Sequence, residues 1–517
     1  MAAISVEDYE ALKDRLAQRE RELLLERLLV EKLKLEVARL KRDKFGASSE
    51  RLEHIEQLEL LVEDLETRCS ALPDGEAQNT AASTPAHHPP ARKPLPPHLP
   101  RETVRHEPAC NCSECGGKLR YVGEDVAEVL ELVRQRFKVV RHVRPKYSCP
   151  RCQTLIQMPA PSRPIARGLA GSNLLAHVLV SKFADHLPLY RQSELYAREG
   201  VELERSTLAD WVGGASRLLE PLMDALQQYV LSAEKLHADD TPVAVLAPGK
   251  GRTKTGRLWA YVRDERPMGS QAPPAVWFQY SPDRKGERPQ EHLKRFTGIL
   301  QADGYTGFEA LYEQGRVVEA ACWAHARRKF FELNQATKSP QAHEALQRIA
   351  ELYEIERHVR GRPPDERWRV RQDQAVPKLQ ALRRWMDSVL AATSSKSELA
   401  RAIRYSLGRW PALVRYAEDG RVEIDNNAAE REIRAVALGR KNWLFAGSDA
   451  GGERSATFYC LIGTAKLNGL DPQAYLAHVL EHIGEHRVDR VDRVADLLPW
   501  NVVSRLIRGG TEELQAA

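Results

Sequence analysis

Between residues 235 and 333, strand-like and helix-like runs follow one another in an order that few folds accommodate. "KLHADDTPVAVL", a Gly/Lys loop, "RLWAYV" and "AVWFQY" are apolar-rich runs separated by turn residues, and they predict three consecutive strands in a meander. A short helix ("PQEHLKRF") then leads to a fourth strand, "GILQADGY", and another ("FEALYEQ") leads to a fifth, "VVEAACW". A further helix begins near "AHARRKFFEL".

That order, β-β-β-α-β-α-β-α, is the order of ribonuclease-H-like folds: a mixed five-stranded sheet with helices, its first and fourth strands side by side. Asp239 lies on the first strand and Asp303 ends the fourth, so their carboxylates are expected to converge. A carboxylate set among apolar residues needs a partner, and an acid cluster commonly takes a hard cation. Residues 334–420 carry many charges without a strand pattern and read as a helical insertion. After them, "VEIDNNAAEREIRAV" (422–436) opens a helix, with Asp425 as its expected cap. Glu430 and Glu432 point about 200° apart on such a helix. Glu430 shares a polar face with Asn426, Asn427 and Arg434, whereas Glu432 shares its side with Ala428, Ala435 and Val436. Glu430 is therefore the candidate third acid, and Asp240 supports its neighbour or faces away. Two carboxylates on adjacent strands and one on a helix can hold two Mg2+ ions. One ion activates an attacking oxygen and the other stabilises the leaving oxygen of a phosphodiester.

Modules precede this core. Five of the eight cysteines fall within residues 110–152. Cys112 with Cys115, and Cys149 with Cys152, form two CxxC knuckles of the kind that grip a structural, four-coordinate zinc. Cys110 is spare, and His106 and His142 are possible substitutes as ligands. Such clustering favours a reducing, cytosolic compartment over a disulfide framework. Residues 5–43 carry a heptad, with Tyr9, Leu16, Leu23, Val30 and Val37 in one column and Leu12, Leu33 and Leu40 in the other, and predict self-association through a coiled coil. "LYRQSELYAREGVELERSTLADWV" has the shape of a helix-turn-helix: a helix ends at Gly200, Val201 and Leu203 plug the core, and a second helix starts near Ser206. Ser206 and Thr207, at that start, are candidates for DNA contact. The expected organisation is multidomain α/β. Coiled coil occupies 1–70, a Pro-rich linker 71–100, a four-cysteine zinc-binding module 101–160 and a helix-turn-helix-like region 161–230. The core's first part covers 231–333, the insertion 334–420, the core helix with the third acid 421–460 and a C-terminal helical region 461–517. The net charge of +5 over 517 residues permits a partner of negative charge. No run of about eighteen apolar residues predicts a membrane span, and the acidic, helical N-terminus does not read as a signal peptide.

Taken together, "FGASSERL", "CGGKL", "SKFADHLPLYRQSELYAREG", "HADDTPV", "QADGYTGF", "CWAHARRKF", "DNNAAEREIR" and "GRKNWLFAGSDAGGERSA" resemble the insertion-sequence-66 family of bacterial DDE transposases nearly end to end. The resemblance implies the catalytic triad Asp239, Asp303 and Glu430, a ribonuclease-H-like core with a helical insertion, and Mg2+ dependence. It also implies cut-and-join movement of an element through its terminal inverted repeats, with element-encoded accessory proteins as further partners. One departure is visible: the family's usual "HADET" reads "HADDT", so Asp240 replaces a glutamate. Arg327, Arg328 and Lys329, with Arg434, Arg440 and Lys441, are candidates for phosphate contacts. Cys322 and His325 close the fifth strand near the acids, either as a strand end and helix cap or as part of a metal site with further ligands. The expected activity is DNA cleavage and strand transfer in the bacterial cytoplasm, at the nucleoid. The alternative is a catalytically silent repressor descended from the same family.

Overall fold

In the computed structural model, the described residues are 97, 99–107, 120–133, 136–165, 168–247, 252–489 and 491–503. The coiled coil expected over 1–70, the Cys112–Cys115 knuckle and nearly all of the expected linker lie outside them.

Near the start of the described chain, two long strands rich in Val, Leu and Tyr, β2 (Arg120–Val133) and β3 (Arg136–Ser148), pair antiparallel with one irregularity between Tyr121 and Gly123. β1 (Arg101–Arg105) joins β3 in parallel, and β4 (Leu155–Gln157) joins it antiparallel near its end. Helices α1 (Ser172–Phe183), α2 (Leu189–Arg198) and α3 (Arg205–Leu231) follow. The turn between α2 and α3 has the anticipated form. Gly200 takes a left-handed φ of 78°, and Val201 and Leu203 are buried. The second helix is much longer than a groove-reading helix requires, however. Leu208, Trp211, Ala215, Leu219, Leu222, Leu226 and Val230 recur at three- and four-residue spacing and bury one face along its 27 residues. Its first turn, with Ser206, is exposed, as are Asp210, Arg217, Glu220, Asp224 and Gln228 along the opposite face.

The central sheet has strand order β7-β6-β5-β8-β9. β5 (Lys235–Ala247), β6 (Arg252–Arg263) and β7 (Ala275–Ser281) form the expected antiparallel meander. After the short helix α4 (Glu287–His292), β8 (Gly298–Ala302) lies parallel to β5; after α5 (Glu309–Glu313), β9 (Val317–Ala320) lies parallel to β8. First and fourth strands are thus neighbours.

Helix α6 (Trp323–Thr337) leads into α7 (Pro340–Val359), α8 (Pro364–Val370), a π-helical turn (Arg371–Ala375), α9 (Val376–Ala392), α10 (Glu398–Gly408) and α11 (Trp410–Glu418). These helices close around their own apolar cluster, which includes Trp323, Phe330, Ile349, Leu352, Leu382, Met386, Trp410 and Tyr416. The chain then returns to the central sheet as α12 (Asn427–Trp443) and α13 (Asp449–Leu467), and α14 (Pro472–Asp489) packs against α1.

Edge strand β7 would otherwise expose unpaired backbone groups. Instead, Val276 N–H donates to Thr464 Oγ1 at 3.1 Å and Phe278 N–H to Cys460 Sγ at 2.9 Å, both from α13. Glycine makes this close approach possible: a Cβ on Gly463 would stand 2.7 Å from Val276 Cγ1. A second apolar cluster therefore runs continuously from Leu130 in β2, through α1, α3 and the central sheet, to Val502.

Candidate metal centre

The last parallel pair between β5 and β8 is Ala238 with Ala302, and Asp239 and Asp303 are the next residue along each chain. Strands paired this way lie about 4.8 Å apart and present residues of equal register to the same face. Asp239 Oδ1 accepts the N–H of Asp240 at 2.7 Å, and Asp303 Oδ1 accepts the N–H of Tyr305 at 3.0 Å. Burial pushes the Asp239 carboxyl well above the usual carboxylate range, and repulsion from Asp303, Glu430 and Asp240 pushes it further. The two strand acids and Glu430 therefore act on one another electrostatically.

Asp240 faces away from this group. Its carboxylate takes Arg257 at 3.0 Å and Arg284 at 2.7 Å. Burial holds it above the ordinary range, although both arginines pull it down. Arg284 also stands 3.9 Å from Asp303 and over the Tyr305 ring, so one guanidinium reaches the rim of the acid group.

Glu430 is delivered by a segment stitched to the sheet before the helix begins. Glu423 exchanges two hydrogen bonds with Gln301 of β8, at 2.6 and 3.2 Å, and Ile424 O accepts from the backbone N–H of Trp323 at 3.0 Å. The three consecutive Asx residues have divided duties, with Asp425 capping a first-turn N–H as expected, although the formal cap position falls on Asn426. Asp425 forms a turn onto Asn427, accepting its backbone N–H at 3.2 Å and its side-chain amide at 3.0 Å. Asn426 occupies the cap position, yet its side chain makes no cap bond. That side chain is fully buried and reaches across to β5, donating to Ala238 O at 2.9 Å and accepting from His237 Nδ1 at 3.0 Å. Its backbone N–H meets Cys322 Sγ at 3.2 Å. Burial lowers His237 to about 3, so the ring is neutral and serves as a fixed donor. Asn426 thus ties β5, the start of α6 and the start of α12 together, one residue from Asp239 and one turn from Glu430. Sequence reasoning missed this strap; the excess of Asx residues was its only local sign. Glu432 lies on the other side of α12, against Gly463 of α13, and burial raises it to about 7.

Cys322 and His325, at the start of α6, also meet Glu430. Glu430 Oε1 lies 3.6 Å from His325 Nδ1 and 4.0 Å from Cys322 Sγ. Among the described residues, the set of three donors within 4.8 Å of one another is Cys322, His325 and Glu430, not the three acids.

The basic candidates are placed on two helices. On α6, Arg327 covers Phe331, Arg328 stands 3.6 Å from Glu332, and exposed Lys329 lies over Tyr405. On α12, Arg434 is half-buried, Arg440 donates to the carbonyl of Pro242 and Lys441 is exposed. Ser206 Oγ bonds Glu204 at 3.4 Å, and Thr207 is half-buried. At the second cysteine knuckle, Cys149 N–H donates to Thr154 O and Gln153 adopts a φ of 61°, a tight turn with Cys149 buried and Cys152 exposed. His106 and His142 bond each other, Nε2 to Nδ1, at 3.2 Å.

Comparison with known proteins is consistent along the chain. Residues 167–454 match the model of the transposase IS66 family, and residues 109–153 match the zinc-finger binding domain of transposase IS66. Residues 32–104 match a model described as transposase C of IS166 homeodomain, upstream of the helix pair at 189–231, and residues 460–500 match the IS66 C-terminal element. Among curated relatives, uncharacterized protein y4hP of Sinorhizobium fredii (strain NBRC 101917 / NGR234) is 43% identical over 490 residues, covering 90% of this chain and 88% of the relative. Uncharacterized proteins y4jD and y4qI of the same organism are 40% and 38% identical, over 91% and 89% of this chain and 94% and 87% of their own. No helix among the described residues is long and apolar enough to cross a membrane. With its catalytic-domain, zinc-finger and C-terminal models all matched, and with that identity over nearly full length, the chain belongs to the IS66 family of transposases.

Proposed function

We propose that this protein is an active DNA transposase that hydrolyses a phosphodiester at the ends of its element and joins the freed 3′-OH to target DNA. The sheet order β7-β6-β5-β8-β9 fits a ribonuclease-H-like core, and Asp239, Asp303 and Glu430 are its triad. The observation that carries the reading is the pairing of β5 with β8 that brings Asp239 and Asp303 to the joined strand ends, where burial first and then repulsion from Asp303, Glu430 and Asp240 push Asp239 away from its charged form. A site built that way is relieved by cations, and all-oxygen donors suit Mg2+. Two Mg2+ ions bound there would activate water and stabilise the departing 3′-oxygen. The chain's residues supply the geometry. The β5–β8 pairing sets Asp239 beside Asp303, Asn426 fixes the angle at which α12 brings Glu430, and Arg284 keeps Asp240 out of the triad.

In this reading, Cys112, Cys115, Cys149 and Cys152 hold a structural Zn2+ in the zinc-finger region. Arg327, Arg328, Lys329, Arg434, Arg440 and Lys441 line the approach of DNA phosphates, and Ser206 and Thr207 meet the inverted repeat. The N-terminal coiled coil pairs two subunits across two element ends, in the cytoplasm at the nucleoid and with accessory proteins of the element. The test is Mg2+-dependent cleavage of a labelled duplex carrying the source element's end, with wild type beside Asp303→Ala and binding followed in parallel. Cleavage lost in the variant while binding persists is the expected result. Binding without cleavage by wild type, even with the accessory proteins added, overturns the proposal in favour of a repressor.

A further inference from the structure

Cys322, His325 and Glu430 bring one sulfur, one nitrogen and one oxygen donor together from two helices. Cys322 sits at the cap position of α6 and His325 three residues on, so both donors rise from the same helical turn, and Glu430 faces them from the first turn of α12. Ligand atoms around a tetrahedral zinc, bonded at about 2.0–2.3 Å, stand roughly 3.3–3.8 Å apart. The separations here are 3.6 Å from His325 Nδ1 to Glu430 Oε1 and 4.0 Å from Cys322 Sγ to Glu430 Oε1, and no pair of the three donors exceeds 4.8 Å. Only small rotations of the side chains are needed to close on one ion. The sulfur already accepts the backbone N–H of Asn426 at 3.2 Å, the kind of outer contact that stabilises a metal-bound thiolate.

We propose that Cys322, His325 and Glu430 form a binding site for a thiophilic divalent cation of the Zn2+ type, distinct from the cysteine module and adjoining the acid triad. Its donor set separates it chemically from the neighbouring acids. Thiolate and imidazole select Zn2+ or Co2+, whereas Asp239 and Asp303 offer oxygen alone and suit Mg2+. Binding displaces the thiol proton of Cys322 to solvent, so occupancy falls as pH is lowered. Three protein ligands leave a fourth position open, as in zinc sites that hold water or a substrate atom. The site shares Glu430 with the triad of the proposed function, and on that reading Zn2+ and Mg2+ compete for one carboxylate.

The experiment needs no DNA and so stands or falls apart from the transposase reading. Full-length protein is stripped with a chelator under reducing conditions, reloaded with Zn2+, desalted and analysed for bound metal per chain; Co2+ loading is followed in parallel by visible absorption. Wild type is expected to retain one more equivalent than Cys322→Ala or His325→Ala, whose remaining metal belongs to the cysteine module. The difference Co2+ spectrum, wild type minus Cys322→Ala, is expected to show a tetrahedral centre with a thiolate-to-metal band weaker than that of a four-thiolate site. Cys322→Asp, which restores a donor, is expected to recover the lost equivalent without the thiolate band. His325 is partly exposed, so its replacement tests the site even if the buried Cys322→Ala variant folds poorly. Equal metal content in wild type and His325→Ala, with no difference spectrum, overturns the proposal.

Discussion

Two groups of buried charge flank strand β5, and they are balanced in opposite ways. At its start, Lys235 lies 3.6 Å from Glu423, which also takes Arg367 at 3.0 Å; Glu356 receives Arg371 through two bonds of 2.6 and 2.7 Å. Although burial works against its charge, Lys235 and Arg367 draw Glu423 down to about 2. Four residues beyond Lys235, Asp239 is driven the other way by burial and by fellow acids. Both groups are carboxylates removed from water. One has its cations built into the fold, so it acts as a lock between the insertion and the sheet. The other gathers acids with Arg284 at its rim, and under the proposed function cations from outside the chain neutralise it. The structural ion cluster and the proposed cation site thus differ in who supplies the positive charge, not in the depth of burial.

The contrast breaks most visibly at the acids. Glu430→Gln is expected to lower Mg2+-dependent cleavage by about 10³-fold or more, since metal-held charge contributes several kcal/mol to such a transition state. Glu432→Gln, on the far side of the same helix, is expected to stay within about threefold, because it leaves every triad acid in place. Cleavage rates of the two variants under matched DNA binding decide the point, and equal losses sink the assignment.

In the balanced group the expected loss is of stability. Glu423→Gln strands Lys235, leaves Arg367 only the more distant Glu356 at 3.7 Å, and is expected to destabilise by about 3–5 kcal/mol. Urea denaturation reads this directly, and a change below about 1 kcal/mol would show that the cluster does not lock the sheet. Asn426→Ala should fall between the two kinds of effect. It leaves Ala238 O and the His237 ring short of a buried partner, at about 1–3 kcal/mol, and it loosens Glu430, so cleavage should drop as well. A stability loss with an unchanged cleavage rate would make Asn426 a packing residue only.

The smallest effects concern pH. Glu423 is depressed in the folded state, so its contribution is complete above the ordinary glutamate range near 4 and is lost as pH falls from about 4 toward 2. Asp425 is raised to about 7 by burial, so the folded state favours its protonated form, and stability declines as pH climbs from about 4 through 7. Asp425→Asn is therefore expected to flatten the neutral limb of the melting-temperature profile, and Glu423→Gln the acid limb. A flattening worth at least roughly 1 kcal/mol corresponds to one pKa unit. Unaltered profiles in metal-free protein would remove the electrostatic account of both groups.

Much of the core was legible because its determinants are local. Alternating apolar runs bounded by turn residues named β5 to β9 in order, and that order left β5 and β8 as neighbours. Asp239 and Asp303 became a pair from topology alone, and Glu430 was separated from Glu432 by counting 100° per residue. The helix from Ser206 was also legible at its start but not in its length or duty, since nothing local says that α3 buries its face along 27 residues. What stayed hidden were contacts between residues far apart in the chain. Asn426 reaches His237, 189 positions away, and Cys322 meets Glu430, 108 positions away. A side-chain amide and a thiol carry no pattern that announces a partner at such separation.

Strand order is inscribed in the chain as period and spacing, because it follows from backbone geometry within a few residues, and the proposed acids and zinc-finger cysteines were chosen from residue type and spacing in the same way. The insertion's separate core, the tying of α12 to β5 through Asn426, the pairing of Asp240 with arginines and the meeting of Cys322, His325 and Glu430 belong to the folded molecule. Each depends on which distant groups burial forces together, and on whether the charge so buried finds its counterpart within the protein.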